Sequence, residues 1–151
     1  MVFLHMNKNY NLERFVKAQE NSYETALSEI RNGRKRSHWM WYIFPQIIGL
    51  GRSGIAVYYS IADEGEARAY LQNDLLRNHL IEISSALLEI ESSDPERVMG
   101  FPDNLKLRSC MTLFAEVAPE EEVFQKVLDK YFDGEKDSHT LQILGRGYDE
   151  L

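Results

Sequence analysis

Apolar residues recur at three- and four-residue intervals along most of the chain, and that period predicts helices. Leu12, Phe15, Val16 and Gln19 share one face of a first helix, with Asn11 as its N-cap. Tyr23, Ala26, Leu27 and Ile30 form the inner face of a second, over about 22–32. Gly33 is a natural stop for it, and Arg31 suits its last turn. Asp63 begins a helix to about Gln72, with Ala67, Tyr70 and Leu71 inward. Asp74 opens a longer one to about Glu91, whose stripe of Leu76, Leu80, Ile83, Leu87 and Ile90 keeps the helical period. Asp94-Pro95-Glu96 starts a brief helix that Gly100 and Pro102 end. Asp103 caps a helix over about 105–117. Its core face is Leu107, Cys110, Met111 and Phe114, with Lys106, Ser109 and Thr112 off that face. Val123, Val127, Leu128 and Tyr131 give a helix over 121–132 that Gly134 ends, and Asp137 or Ser138 caps a last one through Leu144. With no hairpin signal and only short loops, the pattern predicts an all-α (mainly α) fold of about seven to nine helices. One domain is expected over 11–144, with a poorly ordered extension at 1–10 and a frayed tail at 145–151.

One stretch breaks the period. Trp39 to Phe44 is apolar on every side, which fits a buried strand or a short buried helix. Ser37 would cap such a helix and Pro45 would end it. If helical, Trp39 and Trp41 lie about 200° apart, so one would enter the core and the other face a surface pocket. Gly49, Gly51 and Gly54 follow closely, and Ser53 caps a helix holding Ala56, Val57 and Ser60. Two readings stand for this turn. It is a simple tight turn, or the free N–H groups of the helix start seat an anion beside Arg52. It lacks the lysine-serine ending of a phosphate loop and the glycine spacing of a dinucleotide fold.

Charge changes the picture at the same place. The chain carries a net -7, yet no acid lies between Glu29 and Asp63, where Arg31, Arg34, Lys35, Arg36 and Arg52 fall. An acidic body repels polyanions, so duplex nucleic acid is not the expected partner; a small anion at the basic stretch is. Cys110 is the only cysteine, which excludes an intramolecular disulfide and a cysteine-rich metal site and fits a reducing cytoplasm. It is expected to be a small buried core residue. The apolar start, Met1 to Met6, is too short for a signal peptide, and Met6 is an alternative initiator. The run 39–44 is far below the ~20 residues that span a bilayer, so no membrane association is expected.

His5, His38, His79 and His139 are scattered without ligand spacing, so no metal is expected, and no cofactor fingerprint is found. His38 reads either as a packed ring satisfying a carbonyl or as a general acid or base, and it is the one catalytic candidate. The candidate ligand-binding residues are Arg34, Lys35, Arg36, His38, Trp41, Gln46, Arg52, Ser53, Lys106 and Ser109. Arg34, Lys35 and Arg36 are otherwise a solvated helix exit, and Gln46 braces its turn or reads an amide edge. Ser109 has no visible base, so a nucleophilic role lacks its partner.

The string Ser37-His-Trp-Met-Trp-Tyr-Ile-Phe-Pro-Gln46, then Gly49-Leu-Gly-Arg-Ser53, resembles the signature of a bacterial family catalogued as domain-of-unknown-function family 1810. Some of its members carry the label calpastatin. Leu12 to Gln19 and Lys106 to Phe114 support the resemblance, which covers about 11–144. It implies a small, mainly helical fold, with 39–44 helical, and no established activity. The chain lacks the disordered, repetitive composition expected of a flexible protease inhibitor.

Three functions from different classes follow. The favoured one is a binding module for an anionic, ring-bearing metabolite, nucleotide or ADP-ribose-like. The second is an enzyme acting on such a compound with His38 as acid or base. The third is a protein–protein interaction domain that uses exposed aromatics.

Overall fold

A computed structural model describes residues 10–147, and among them ten helices make up the fold. They are α1 (Glu13–Glu20), α2 (Tyr23–Arg31), α3 (Met40–Ile43), α4 (Gly54–Tyr58) and α5 (Glu64–Gln72). Then come α6 (Asp74–Glu89), α7 (Pro95–Met99), α8 (Asp103–Val117), α9 (Glu122–Phe132) and α10 (Ser138–Ile143). The all-α expectation holds, and the stretch 39–44 forms a short helix over Met40–Ile43, with Trp39 and Phe44 as its caps, so the choice of helix that the resemblance implied is met. An isolated parallel bridge joins Ile47 to Ile61 and closes the base of the excursion that carries α4.

Two long helices organise the core. The first, α6, packs against α1, α2, α5 and α9; the second, α8, packs against α5, α7, α9 and α10. Ten of the fifteen residues of α8 are buried, so this helix is enclosed on most of its sides. Ser109 and Thr112, expected off its core face, are therefore buried, each hydroxyl facing a carbonyl one turn back. Cys110 is buried and free, as expected.

Most predicted caps form. Ser53, Asp63, Asp94 and Asp137 each accept a backbone N–H of the following helix, which settles the last terminus on Asp137. Asn73 performs the same task for α6, which ends at Glu89 instead of Glu91. Three expectations fail. Asn11 is not the cap of α1; Leu12 stands there, and the Asn11 carbonyl accepts from Arg14 Nη1. Asp103 lies inside α8 because its carboxylate is held by lysines. Ser37 does not cap α3 because its hydroxyl donates to the Glu29 carboxylate.

A buried ion pair ties α1 to the α4–α5 region. Arg14 Nη1 lies 2.9 Å from Glu66 Oε2, with the side chains 8% and 3% exposed. The guanidinium also donates to the Tyr58 and Ser60 carbonyls, both at 2.8 Å, and Glu66 Oε1 accepts the Ala62 N–H at 2.7 Å. With these partners the desolvated charges are satisfied.

The ends of the described chain are tethered. Tyr10 donates to Asp63 at 2.8 Å, and Arg146 pairs with Glu64 and Glu116. The rest of the expected extension, 1–9, and of the expected tail, 148–151, lie outside the described residues. Among the described residues no helix is long and apolar enough to cross a membrane.

Candidate functional site

The site begins where α2 ends. Gly33 takes φ +88, a conformation that costs glycine little, and the Arg34 N–H returns to the Glu29 carbonyl at 3.1 Å. That turn folds residues 34–39 back over the Glu29 side chain. The Glu29 carboxylate then accepts the Arg36 N–H at 2.7 Å, the Ser37 N–H at 2.9 Å, the Ser37 hydroxyl at 2.5 Å and the Trp39 indole N–H at 2.9 Å. Burial alone would raise the pKa of this acid. The bonds from Ser37 Oγ, the Arg36 N–H, the Trp39 indole and the Ser37 N–H outweigh burial and hold it at about 2. The acid bordering the acid-free stretch is thus the anion around which that stretch folds.

This cradle separates the two tryptophans. Trp39 is 1% exposed, its indole N–H spent on Glu29, while Trp41, two residues on, is half-buried at the surface. Lys35 is drawn across towards α8. Its ammonium donates to the Ser37 carbonyl, sits 4.9 Å from the Trp39 ring centroid and pairs with Asp103 Oδ2 at 2.9 Å. Asp103 Oδ1 faces Lys106 at 3.5 Å, and the Lys106 ammonium lies 5.7 Å from the Trp41 ring centroid.

Two cavities adjoin at Pro102, which lines both. One, of about 290 Å³, is walled by Lys35, Arg36, His38, Trp41, Phe101 and Asp103. The other, of about 320 Å³, is walled by Gln46, Leu50, Lys106, Ser109, Asp137 and His139, with Arg108 at its edge. Lys106 over Trp41 links them. Of the ten residues expected to bind, Lys35, Arg36, His38 and Trp41 line the first cavity and Gln46, Lys106 and Ser109 the second. Arg34, Arg52 and Ser53 line neither; Arg52 and Ser53 lie exposed at the start of α4. With five residues, α4 is too short to concentrate a helix dipole at that point.

Residues 9–144 match the family described as a protein of unknown function, DUF1810. The chain belongs to the DUF1810 family. It is similar to a solved structure, the conserved hypothetical protein Rv1873 from Mycobacterium tuberculosis, with 44% identity and a TM-score of 0.88. The match covers 90% of this chain and 97% of that one. Among curated proteins none matches. In this DUF1810 chain, two of the strings that carried the resemblance, 37–46 and 106–114, face each other across the cleft: Lys106 over Trp41, Ser109 in one cavity with Gln46.

Sequence reasoning missed Phe101, Asp103, Arg108, Asp137 and His139. Asp137 is the acid that Ser109 lacked on paper. Ser109 Oγ lies 3.2 Å from both Asp137 Oδ2 and the Leu105 carbonyl, and its one proton serves either. The same carboxylate oxygen accepts the Thr140 N–H at 3.0 Å and the Thr140 hydroxyl at 2.5 Å, so its work is to cap α10. Asp137→Ala is expected to destabilise the fold by roughly 1–2 kcal/mol, read as a lower urea midpoint with an unchanged slope. Arg108 is spoken for as well, by the Glu135 carboxylate and the Glu135 and Lys136 carbonyls. Among the described residues no group of three or more His, Cys, Asp or Glu is placed to hold a metal ion.

Proposed function

We propose that this chain binds a small anionic, ring-bearing metabolite, nucleotide or ADP-ribose-like, in the cleft between α3 and the start of α8. The observation that carries this reading is the Lys106 ammonium over the half-exposed Trp41 ring, where two cavities meet. A cation and an indole from separate helices stand at one concave place, in a body whose net charge is -7. Arg108 is neutralised by Glu135, but Lys35 and Lys106 share the single carboxylate of Asp103 and the exposed Arg36 side chain lines the same cavity, a local positive charge that favours an anion. Cavities of about 290 and 320 Å³ suit a ring and one charged substituent, at the small end of metabolite sites. A cytoplasmic setting fits the buried free thiol of Cys110.

Thermal unfolding with AMP, ADP and ADP-ribose tests this. A probe present at 100 times its Kd stabilises by about 2.7 kcal/mol, a rise of roughly 5–10 °C in Tm for a domain of this size. Arg36→Ala and His38→Ala each shrink that rise. If no probe raises Tm, or both variants respond like the wild type, the cleft reading is wrong. Retained affinity with lost turnover in His38→Ala would make the chain an enzyme instead of a binding module.

A further inference from the structure

We infer that Phe101 and Trp41 together hold the flat ring of the ligand in the first cavity, and that the ring is a nucleobase-type heterocycle. The inference rests on the cleft reading above and adds to it the residue that recognises the ring. Phe101 is 70% exposed, the highest value for a large apolar side chain among the described residues. A phenyl ring so open to water contributes little to the core, and its exposed area carries a cost at about 25 cal/mol per Å². It does not ride on a loose loop. Gly100 before it takes φ +81 and donates to Glu96 O at 2.7 Å, and the Asn104 N–H returns to Gly100 O at 2.8 Å. The neighbouring turn of α7 is fastened to the basic stretch by the Lys35 N–H to Val98 O bond at 2.7 Å. The ring is therefore presented at the rim by a braced backbone.

Phe101 shares the cavity with Trp41, Arg36, His38 and Asp103. Two aromatic side chains on one small cavity, a cation beside them and a cation over one of the rings suit a planar heterocycle bearing a phosphate. The ring gains stacking, the phosphate meets Arg36 or Lys106, and the Asp103 carboxylate can accept from an exocyclic amine. Because stacking tolerates any base, the cavity separates anions that carry an aromatic ring from those that do not more than it separates one base from another.

Isothermal titration of AMP, GMP, CMP and UMP, with ribose 5-phosphate as the probe that lacks an aromatic base, tests the inference. Phe101→Ala is expected to weaken the nucleotides roughly 5- to 100-fold while ribose 5-phosphate stays within about twofold of the wild type. Phe101→Trp is expected to restore nucleotide affinity. The exposed position keeps both variants folded, which an unchanged Tm without ligand verifies. Unchanged nucleotide affinity in Phe101→Ala overturns this inference alone, as does an equal loss for nucleotides and ribose 5-phosphate. A wild-type chain that binds no nucleotide overturns the cleft reading and this inference with it.

Discussion

Glu29→Gln is expected to flatten the acid side of the stability curve, removing a pH-dependent contribution on the order of 2 kcal/mol, less than the full shift because solvent screens a carboxylate that is only partly buried. The folded carboxylate is held at about 2, against 4.5 for a free glutamate side chain, because four donors meet its charged form. A folded pKa below the unfolded one gives stability that is complete above about 4.5 and lost as pH falls towards 2. Urea unfolding of the wild type from pH 6 to pH 2.5 should lose this contribution, and the glutamine variant should not. Parallel curves for the two proteins would refute the role given to Glu29. At pH 7 the substitution Glu29→Ala carries a direct cost as well. It strands the part-buried Trp39 indole N–H and Ser37 N–H, while the exposed Arg36 N–H turns to water, and hydrogen bonds to a charge are worth about 1.5–3 kcal/mol each. A loss of at least 3 kcal/mol is expected, with residues 34–38 released from the cleft wall and the proposed nucleotide binding weakened in step.

Glu66→Ala should be comparably severe, at roughly 3–5 kcal/mol, because it leaves the Arg14 guanidinium buried without its counter-charge. Arg14 would keep the carbonyls of Tyr58 and Ser60, which satisfy donors but do not neutralise charge. The fall in Tm should be on the order of 6–20 °C. The paired replacement Arg14→Met with Glu66→Leu should lose much less than the two single variants summed, since no lone charge remains inside. Additive losses, or a Glu66→Ala protein within 1 kcal/mol of the wild type, would show that the pair is not what fastens α1 to the α4–α5 region. Ligand affinity should survive either change if folding is preserved, as neither residue lines the cleft cavities.

The helices were legible because burial repeats with the helical period: Tyr23, Ala26, Leu27 and Ile30 face inward as their spacing required. Caps at Ser53, Asp63, Asp94 and Asp137 were legible because a cap bonds within three residues, a distance sequence can express. The basic stretch was visible as charge, but the disposition of that charge was not. Lys35 looked like one of three solvated cations, yet Asp103, 68 positions on, takes its ammonium into a pair only 9% exposed on the lysine side. Phe101 was unremarkable in sequence, since an apolar residue between helix stops gives no sign of whether it faces core or water.

From its own order of residues the chain determined an all-helical fold, the ends of most helices and the neighbourhood of aromatic and basic groups, because each follows from contacts within a turn or two. The fold alone decided which tryptophan is core, that Glu29 is the hub of residues 36–39, and that Arg36, His38, Trp41 and Lys106 border one cleft while Arg34 and Arg52 do not. The physical reason is that these outcomes depend on the left-handed turn at Gly33 and on α8 arriving from the far half of the chain. A helix period records which face is buried, not which distant side chain will meet it.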